Sequence, residues 1–416
     1  MSEGQDAAAA QDPPAATPVP APVAGPAAAP AAEAPRRLAS LDVLRGLAIL
    51  LMVLDHCRDF FGPTGYAPTD LDRASLSVFL TRWITHPGAP VFVFLAGTSV
   101  ALALRRGMDR RAMAVFLVRR ALWLIVLEYT WVSAAWTFDV SGTIFFAQIL
   151  WVMGLSMLVL AWLVLCPVWV SVVLGLALVG GHDLFDGLRP AEMAFPRLWK
   201  LLHVGSSMVM LGDSVRVLVI YPFLPWAGVM ALGYAFGGVV DLEPRRRHRW
   251  CLGLGAACLA GFVLLRWGNV YGDPSPWVST PDDPLRSVLS FLNVTKYPAS
   301  LQFLLMSLGL PLLVLPLLDR ELGFVGRVLR TFGSVPLFLY LVHLPVIHGA
   351  AALWSLARYG EAGWWFGGGA RPDDYYQGQG PVFLATLAAL ALFYPLCRWY
   401  AGVKRRRRDL RFLRYL

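Results

Sequence analysis

Ionisable side chains, among them an arginine and a histidine, stand inside the first apolar stretch of this chain. The stretch opens Leu41-Asp42-Val43-Leu44-Arg45-Gly46 and closes Leu54-Asp55-His56-Cys57-Arg58-Asp59. At about 100° per residue, Arg45 and His56 fall within about 20° of one another on a helix, roughly 16 Å apart along its axis. Met52 and Asp59 share that flank. Ionisable groups in such a helix are costly and by default mark function. Imidazole titrates near neutrality and suits a base or a transient acyl carrier. A guanidinium suits phosphate, and Asp55 or Asp59 can fix the imidazole tautomer. The plainer reading of Arg45 is a snorkelling cation paired with Asp42 at i−3.

A second group of candidates lies further along. His86 follows Arg82-Trp83-Ile84-Thr85 and precedes Pro87-Gly88-Ala89-Pro90. These prolines loosen a helix end and expose backbone at about the depth of His56. Asn293 and Lys296 share one helical face if the following helix starts early, and suit an acceptor or an oxyanion. His343 sits mid-helix between Pro336 and Pro345. Trp136 and Asp139 offer an aromatic face plus a carboxylate for a sugar. His348 reads as packing. His182, Asp183 and His203 have no metal spacing, and the 5 Cys show no CxxC, so neither a metal site nor a disulfide framework is expected.

Membrane-spanning helices must hold these residues. Of the 416 residues, 57% are hydrophobic and only 15% are charged, against about 25% charged in soluble domains. The expected fold is an all-α polytopic bundle of about ten spans. They lie near 41–61, 83–104, 115–136, 144–164, 167–181, 216–240, 250–267, 300–318, 333–354 and 381–402. Residues 1–37 read as a disordered Ala/Pro-rich tail without a signal-peptide pattern, 38–402 as the membrane domain, and 403–416 as a basic tail. The net charge of +9 comes from Arg in short loops, which the membrane explains without nucleic acid. More than half of the 36 Lys and Arg fall on one side if both termini are cytoplasmic. Every long loop then lies outside. The expected location is the cell (inner) membrane.

Several pieces carry a resemblance. Ser40 to Ala48 with Asp55-His56 resembles the first-helix signature of bacterial acyltransferases that modify surface polysaccharides. Other pieces resemble bacterial relatives of heparan-α-glucosaminide N-acetyltransferase. They are Thr81 to His86 with Pro90 to Gly97, Gln148 to Trp151 with Gly154 to Met157, and Tyr221-Pro222 to Trp226 with Gly228 to Met230. Leu292-Asn293 to Lys296-Tyr297-Pro298 and Phe332-Gly333 to Tyr340 with His343 complete the set. Together they span roughly 38–400.

The resemblance implies a membrane acyltransferase that takes an acyl group, typically acetyl, from cytoplasmic acyl-CoA. The acceptor is an extracytoplasmic amino sugar or glycan. Acetyl-CoA is then a co-substrate, with no permanently bound cofactor, and oligomeric state is left open. His56 or His86 takes the catalytic role with Asp55, Arg45 meets CoA, and Asn293, Lys296, His343, Trp136 and Asp139 meet substrate. In the animal enzyme the position matching His56 looks like Asn and the catalytic His lies in a following His-x-x-Trp element, which this chain lacks. The rival reading is a transporter or flippase for an anionic or sugar-linked solute.

Overall fold

The computed structural model describes residues 39–407 except 140, 368 and 369, and then 409, 410 and 413. The Ala/Pro-rich tail and Arg408, Arg411 and Arg414 lie outside the described residues. Among the described residues, fifteen α-helices and three short strands follow in chain order. The first half holds α1 (Ala39–Phe61), α2 (Leu76–Ile84), α3 (Gly88–Arg105), α4 (Arg110–Leu127), α5 (Ser133–Thr137), β1 (Ile144–Ala147), α6 (Ile149–Leu163) and α7 (Val168–Gly181). Next come α8 (Pro196–Leu202), β2 (Ser207–Leu211), β3 (Val215–Val219), α9 (Phe223–Val240) and α10 (Pro244–Gly268). The chain ends with α11 (Pro284–Leu292), α12 (Leu301–Val314), α13 (Gly323–Gly333), α14 (Pro336–Tyr359) and α15 (Gln379–Arg406).

Each expected span has a helical counterpart. Among the described residues, seven helical segments are long and apolar enough to cross a membrane. The expected spans outside that set have physical reasons to be. Helix α1 carries Asp42, Arg45, Asp55, Arg58 and Asp59. Helix α4 carries Arg110, Arg111, Arg119 and Arg120. Helix α6 has only 15 residues.

Three departures from the expected spans matter for the site. First, residues 144–147 and 215–219 are not helix starts but strands β1 and β3. They pair in parallel, with β2 antiparallel on the other edge of β3. Ala147 accepts from the backbone N–H of Ile220 and Tyr221, which fixes the entry to α9. Secondly, 115–136 is interrupted by a π turn over Glu128–Val132, a feature frequent at functional sites. Buried Glu128 accepts from the Leu150 and Trp151 N–H groups at 2.7 and 3.0 Å and so satisfies the first turn of α6. Thirdly, α15 continues past 402 through Lys404 to Arg406.

Small residues set the closest approaches, as expected where lipid offers no hydrophobic drive between helices. Helix α1 packs on α13 through Gly46 and Gly333. A Cβ on Gly46 would overlap the Leu329 carbonyl, and one on Gly333 would overlap that of Asp42. Helices α3 and α9 do the same through Gly97 and Gly233, with Thr98 Oγ1 donating to the Gly233 carbonyl at 2.9 Å.

Candidate active site

The site is assembled from α1, the break between α2 and α3, α5, α14 and the loop before α12. Pro87 and Pro90 cannot continue the backbone ladder of α2, so the chain unwinds between Ile84 and Gly88. Thr85, freed by that break, donates to Asp55 Oδ1 at 2.5 Å. Arg82, one turn earlier, grips both Asp55 oxygens at 2.9 and 2.8 Å. Arg58 reaches Asp55 at 2.5 Å and Asp59 at 2.8 Å. Lys296 Nζ lies 3.8 Å from Asp55 Oδ2.

Three cations therefore face two carboxylates, and Arg371 lies against Asp59 as well, its Nη2 3.1 Å from the Asp59 carbonyl, so positive charge is in excess. One ligand atom each from Asp55, His56 and Asp59 lies within 4.8 Å of the others, a spacing open to a metal ion. Arg58, Arg82 and Lys296 already fill that ground with positive charge, so these carboxylates serve as their counter-ions.

His56 points elsewhere. Its Nδ1 lies 2.7 Å from His343 Nε2, and the Trp136 ring meets it edge-on at 5.2 Å between centroids. The expectation that Asp55 or Asp59 sets the His56 tautomer is thereby corrected. Asp55 is consumed by Arg58, Arg82 and Thr85, and the partner of His56 is a second histidine on α14.

Hydrogen-bond accounting then fixes both rings. His343 Nδ1 faces the Leu339 and Tyr340 carbonyls at 3.1 and 2.7 Å, and carbonyls only accept. Nδ1 therefore carries the proton of neutral His343, Nε2 accepts, and His56 Nδ1 donates. The remaining lone pair is on His56 Nε2, where a base or nucleophile needs it.

Trp136 reaches this place because the π turn precedes α5. Its indole N–H is buried without a hydrogen-bond partner. Asp139 does not join it. Its carboxylate accepts from Ser141 N–H at 2.7 Å and Ser141 Oγ at 2.8 Å, closing a local turn. The Ser141 N–H holds its pKa below the ordinary aspartate value.

The Asn293 and Lys296 pair is also corrected. Residues 293–300 form no helix, because Arg266 at the end of α10 draws the Phe291, Ser290 and Asn293 carbonyls onto its guanidinium. Asp273 in turn accepts from Thr295 N–H and Ser300 Oγ. Asn293 Nδ2 is spent on the Thr69 carbonyl at 3.1 Å, whereas Lys296 reaches the Asp55 cluster.

His86 is 2% exposed, packs edge-on against Phe303, and leaves Nδ1 without a partner. Arg45, at the other end of α1, binds Asp42 Oδ1 at 2.5 Å and Ser99 Oγ at 2.8 Å. His348 packs face-on against Phe138 with 3.8 Å between centroids. Its nitrogens meet the Ala135 and Trp365 carbonyls at 2.9 and 3.2 Å.

Sequence reasoning did not single out Arg58, Arg82, Thr85, Tyr221 or Tyr297. Tyr297 OH lies 3.4 Å from Arg82 Nη2 and 3.5 Å from Tyr221 OH. Burial pushes this phenol up, but Lys296 and Arg82 outweigh it and hold the pKa below the ordinary tyrosine value. The available signal was the clustering of Arg82, Tyr221 and Tyr297 in Pro-bearing segments beside spans.

A family model described as "Heparan-alpha-glucosaminide N-acetyltransferase, catalytic" matches residues 37–265, more than half of the chain. The chain belongs to this family. No curated protein matches it significantly. Membership in the heparan-alpha-glucosaminide N-acetyltransferase family makes the chain a multi-pass membrane protein with an acetyltransferase-like function. Enzymes of this family use acetyl-CoA as co-substrate. The matched region carries Arg45, His56, Arg82, His86 and Trp136, while Lys296 and His343 lie beyond it.

Proposed function

We propose that this protein transfers an acetyl group from cytoplasmic acetyl-CoA to an extracytoplasmic amino sugar or glycan, with His56 as the general base. The observation that carries the reading is the His56–His343 contact beside Trp136, at one end of a cationic cluster. The acceptor amine or hydroxyl gives its proton to His56 Nε2 while its nitrogen or oxygen attacks the thioester carbonyl. The new C–N or C–O bond forms, the C–S bond breaks, and the thiolate leaves with the proton from His56. His343 holds His56 in the required tautomer and disperses the charge of the transient imidazolium. The unpartnered Trp136 N–H is a donor for the developing oxyanion or a sugar oxygen.

Asp55 orders Arg58, Arg82 and Lys296, and His86 supports the same cluster from the helix break. Arg45 marks the inner end, where its pair with Asp42 opens to receive the phosphates of CoA. This arrangement needs ten spans with both termini cytoplasmic, in the cell membrane. Charge at the helix ends favours it: Arg105, Arg106, Arg110 and Arg111 flank the α3–α4 connection, and Arg245, Arg246, Arg247 and Arg249 lie in the first turns of α10.

The test is purified protein in lipid nanodiscs with acetyl-labelled acetyl-CoA and a panel of amino sugars. Wild type is expected to yield acetylated sugar, and His56→Ala to lose about 10²–10⁴-fold in rate. No acetyl-CoA consumption with any acceptor overturns the proposal.

A further inference from the structure

An apolar cavity of about 150 Å³ runs along α1 on the flank next to the Arg45–His56 stripe. Its wall includes Leu44, Leu47 and Leu51 of α1, Trp83 of α2, and Met306 and Leu310 of α12. It touches neither Arg45 nor His56. A cavity of this size lined by aliphatic and aromatic side chains stays dry and accepts an apolar ligand. The wall is nearly all carbon, so the amides of a pantetheine arm would be buried unpaired there, at about 1–3 kcal/mol each. Ile84, also on the wall, is 50% exposed. The neighbouring Leu80 and Leu76 of α2 are exposed too, so the groove opens sideways toward lipid.

Charged residues lie past its outer end. Asp55 lies one helical turn beyond Leu51, and Arg82 is the chain neighbour of Trp83. The row of α1 side chains on the groove wall thus leads toward the Arg58–Arg82–Lys296 cluster, which lies beyond the wall itself. The Trp83 indole N–H is buried without a partner. From Leu44 to Asp55 is about 16 Å of helix, which matches a chain pointing inward from a head group held at the cluster.

We infer that the acceptor is lipid-borne: a sugar carried on a single-chain lipid phosphate. Its apolar chain lies in the α1–α2–α12 groove, its phosphate meets Arg82 and Lys296, and its sugar reaches His56 and Trp136. This rests on the acetyltransferase reading for the sugar's fate, but not for the binding itself. Charge at one end and carbon along the other fit an anionic amphiphile better than a free sugar.

Two measurements test it. Wild-type protein in detergent is photolabelled with a diazirine-bearing dodecyl phosphate and mapped by peptide mass spectrometry. Saturable labelling of α1 and α12 is expected, with competition by dodecyl phosphate at least tenfold stronger than by dodecanol. In Lys296→Gln that difference should shrink. Labelling that does not saturate, or that dodecanol competes equally, overturns the inference even if acetyl transfer is observed.

In parallel, kcat/KM is compared for a lipid-phosphate-linked hexosamine and free hexosamine. Leu310→Trp, which fills the groove, should lower the lipid-to-free ratio at least tenfold. Leu264→Trp, on the exposed face of α10, should leave it unchanged. An unchanged ratio in Leu310→Trp also overturns the inference. Absence of transfer to either sugar sinks the enzymatic reading alone, and the photolabelling still decides the groove.

Discussion

A histidine whose Nδ1 faces two backbone carbonyls has one neutral tautomer open to it, and His343 passes that constraint to His56. Replacing His343 by Leu removes the acceptor for His56 Nδ1 while keeping bulk. An activity loss of about tenfold to 10²-fold is expected, mostly in kcat, read by steady-state kinetics. His343→Gln, whose amide oxygen can accept, should recover part of it.

Asp55 is the reverse case. It touches no histidine proton but balances Arg58, Arg82 and Lys296. Asp55→Asn leaves buried cations uncompensated, and a stability loss of about 3–5 kcal/mol is expected, measured as resistance to SDS unfolding. A stable but inactive Asp55→Asn would instead place Asp55 in the chemistry.

At this scale the sequence picked out His56, His343, Trp136 and Lys296, because polar groups in or beside apolar helices are costly, and the fold brings His343 and Trp136 onto His56 and Lys296 to Asp55. It paired Asp55 with His56, whereas Asp55 meets Arg58, Arg82 and Thr85; adjacency in a helix says little about which way neighbours point, since successive side chains diverge by about 100°. The helical geometry expected for Asn293 is absent for a related reason. Its i,i+3 relation to Lys296 presumed a helix that Arg266 and Asp273 prevent.

The elements that matter most are interrupted ones. The break between α2 and α3 was legible in Pro87-Gly88-Ala89-Pro90, and it delivers Thr85 and Arg82 to Asp55. The π turn before α5 was not legible, because Glu128 to Val132 keeps helical composition and only the buried capping of α6 by Glu128 explains it. The sheet was hidden for similar reasons: short apolar β-branched runs such as Val215–Val219 read equally as helix or strand.

Helix α13 holds the N-terminal half of α1 through Gly46 and Gly333. Gly333→Val forces these backbones apart, with an expected cost of about 1–3 kcal/mol and a lower thermal midpoint in detergent. Unchanged stability would mean that the α1–α13 contact contributes little.

At the scale of the molecule, hydropathy and charge together outlined the bundle. Hydropathy alone is weaker, because α1, the helix carrying the site, holds too many charges to stand among the seven apolar segments. The ten-span arrangement is testable by placing single cysteines in a background lacking the native ones. A cysteine at Gly107 should resist an impermeant maleimide in intact cells, and one at Asp282 should react. The opposite pattern would reverse the membrane orientation and, with it, the side from which acetyl-CoA enters.

The proposed joint action of His56 and His343 is tested most directly by a double-mutant cycle. Acetyl transfer is measured for His56→Ala, His343→Ala and the double variant under identical lipid conditions. If the pair works as a unit, the double variant is no slower than His56→Ala alone. Losses that multiply, or a His56→Ala protein that turns over at the wild-type rate, would contradict it.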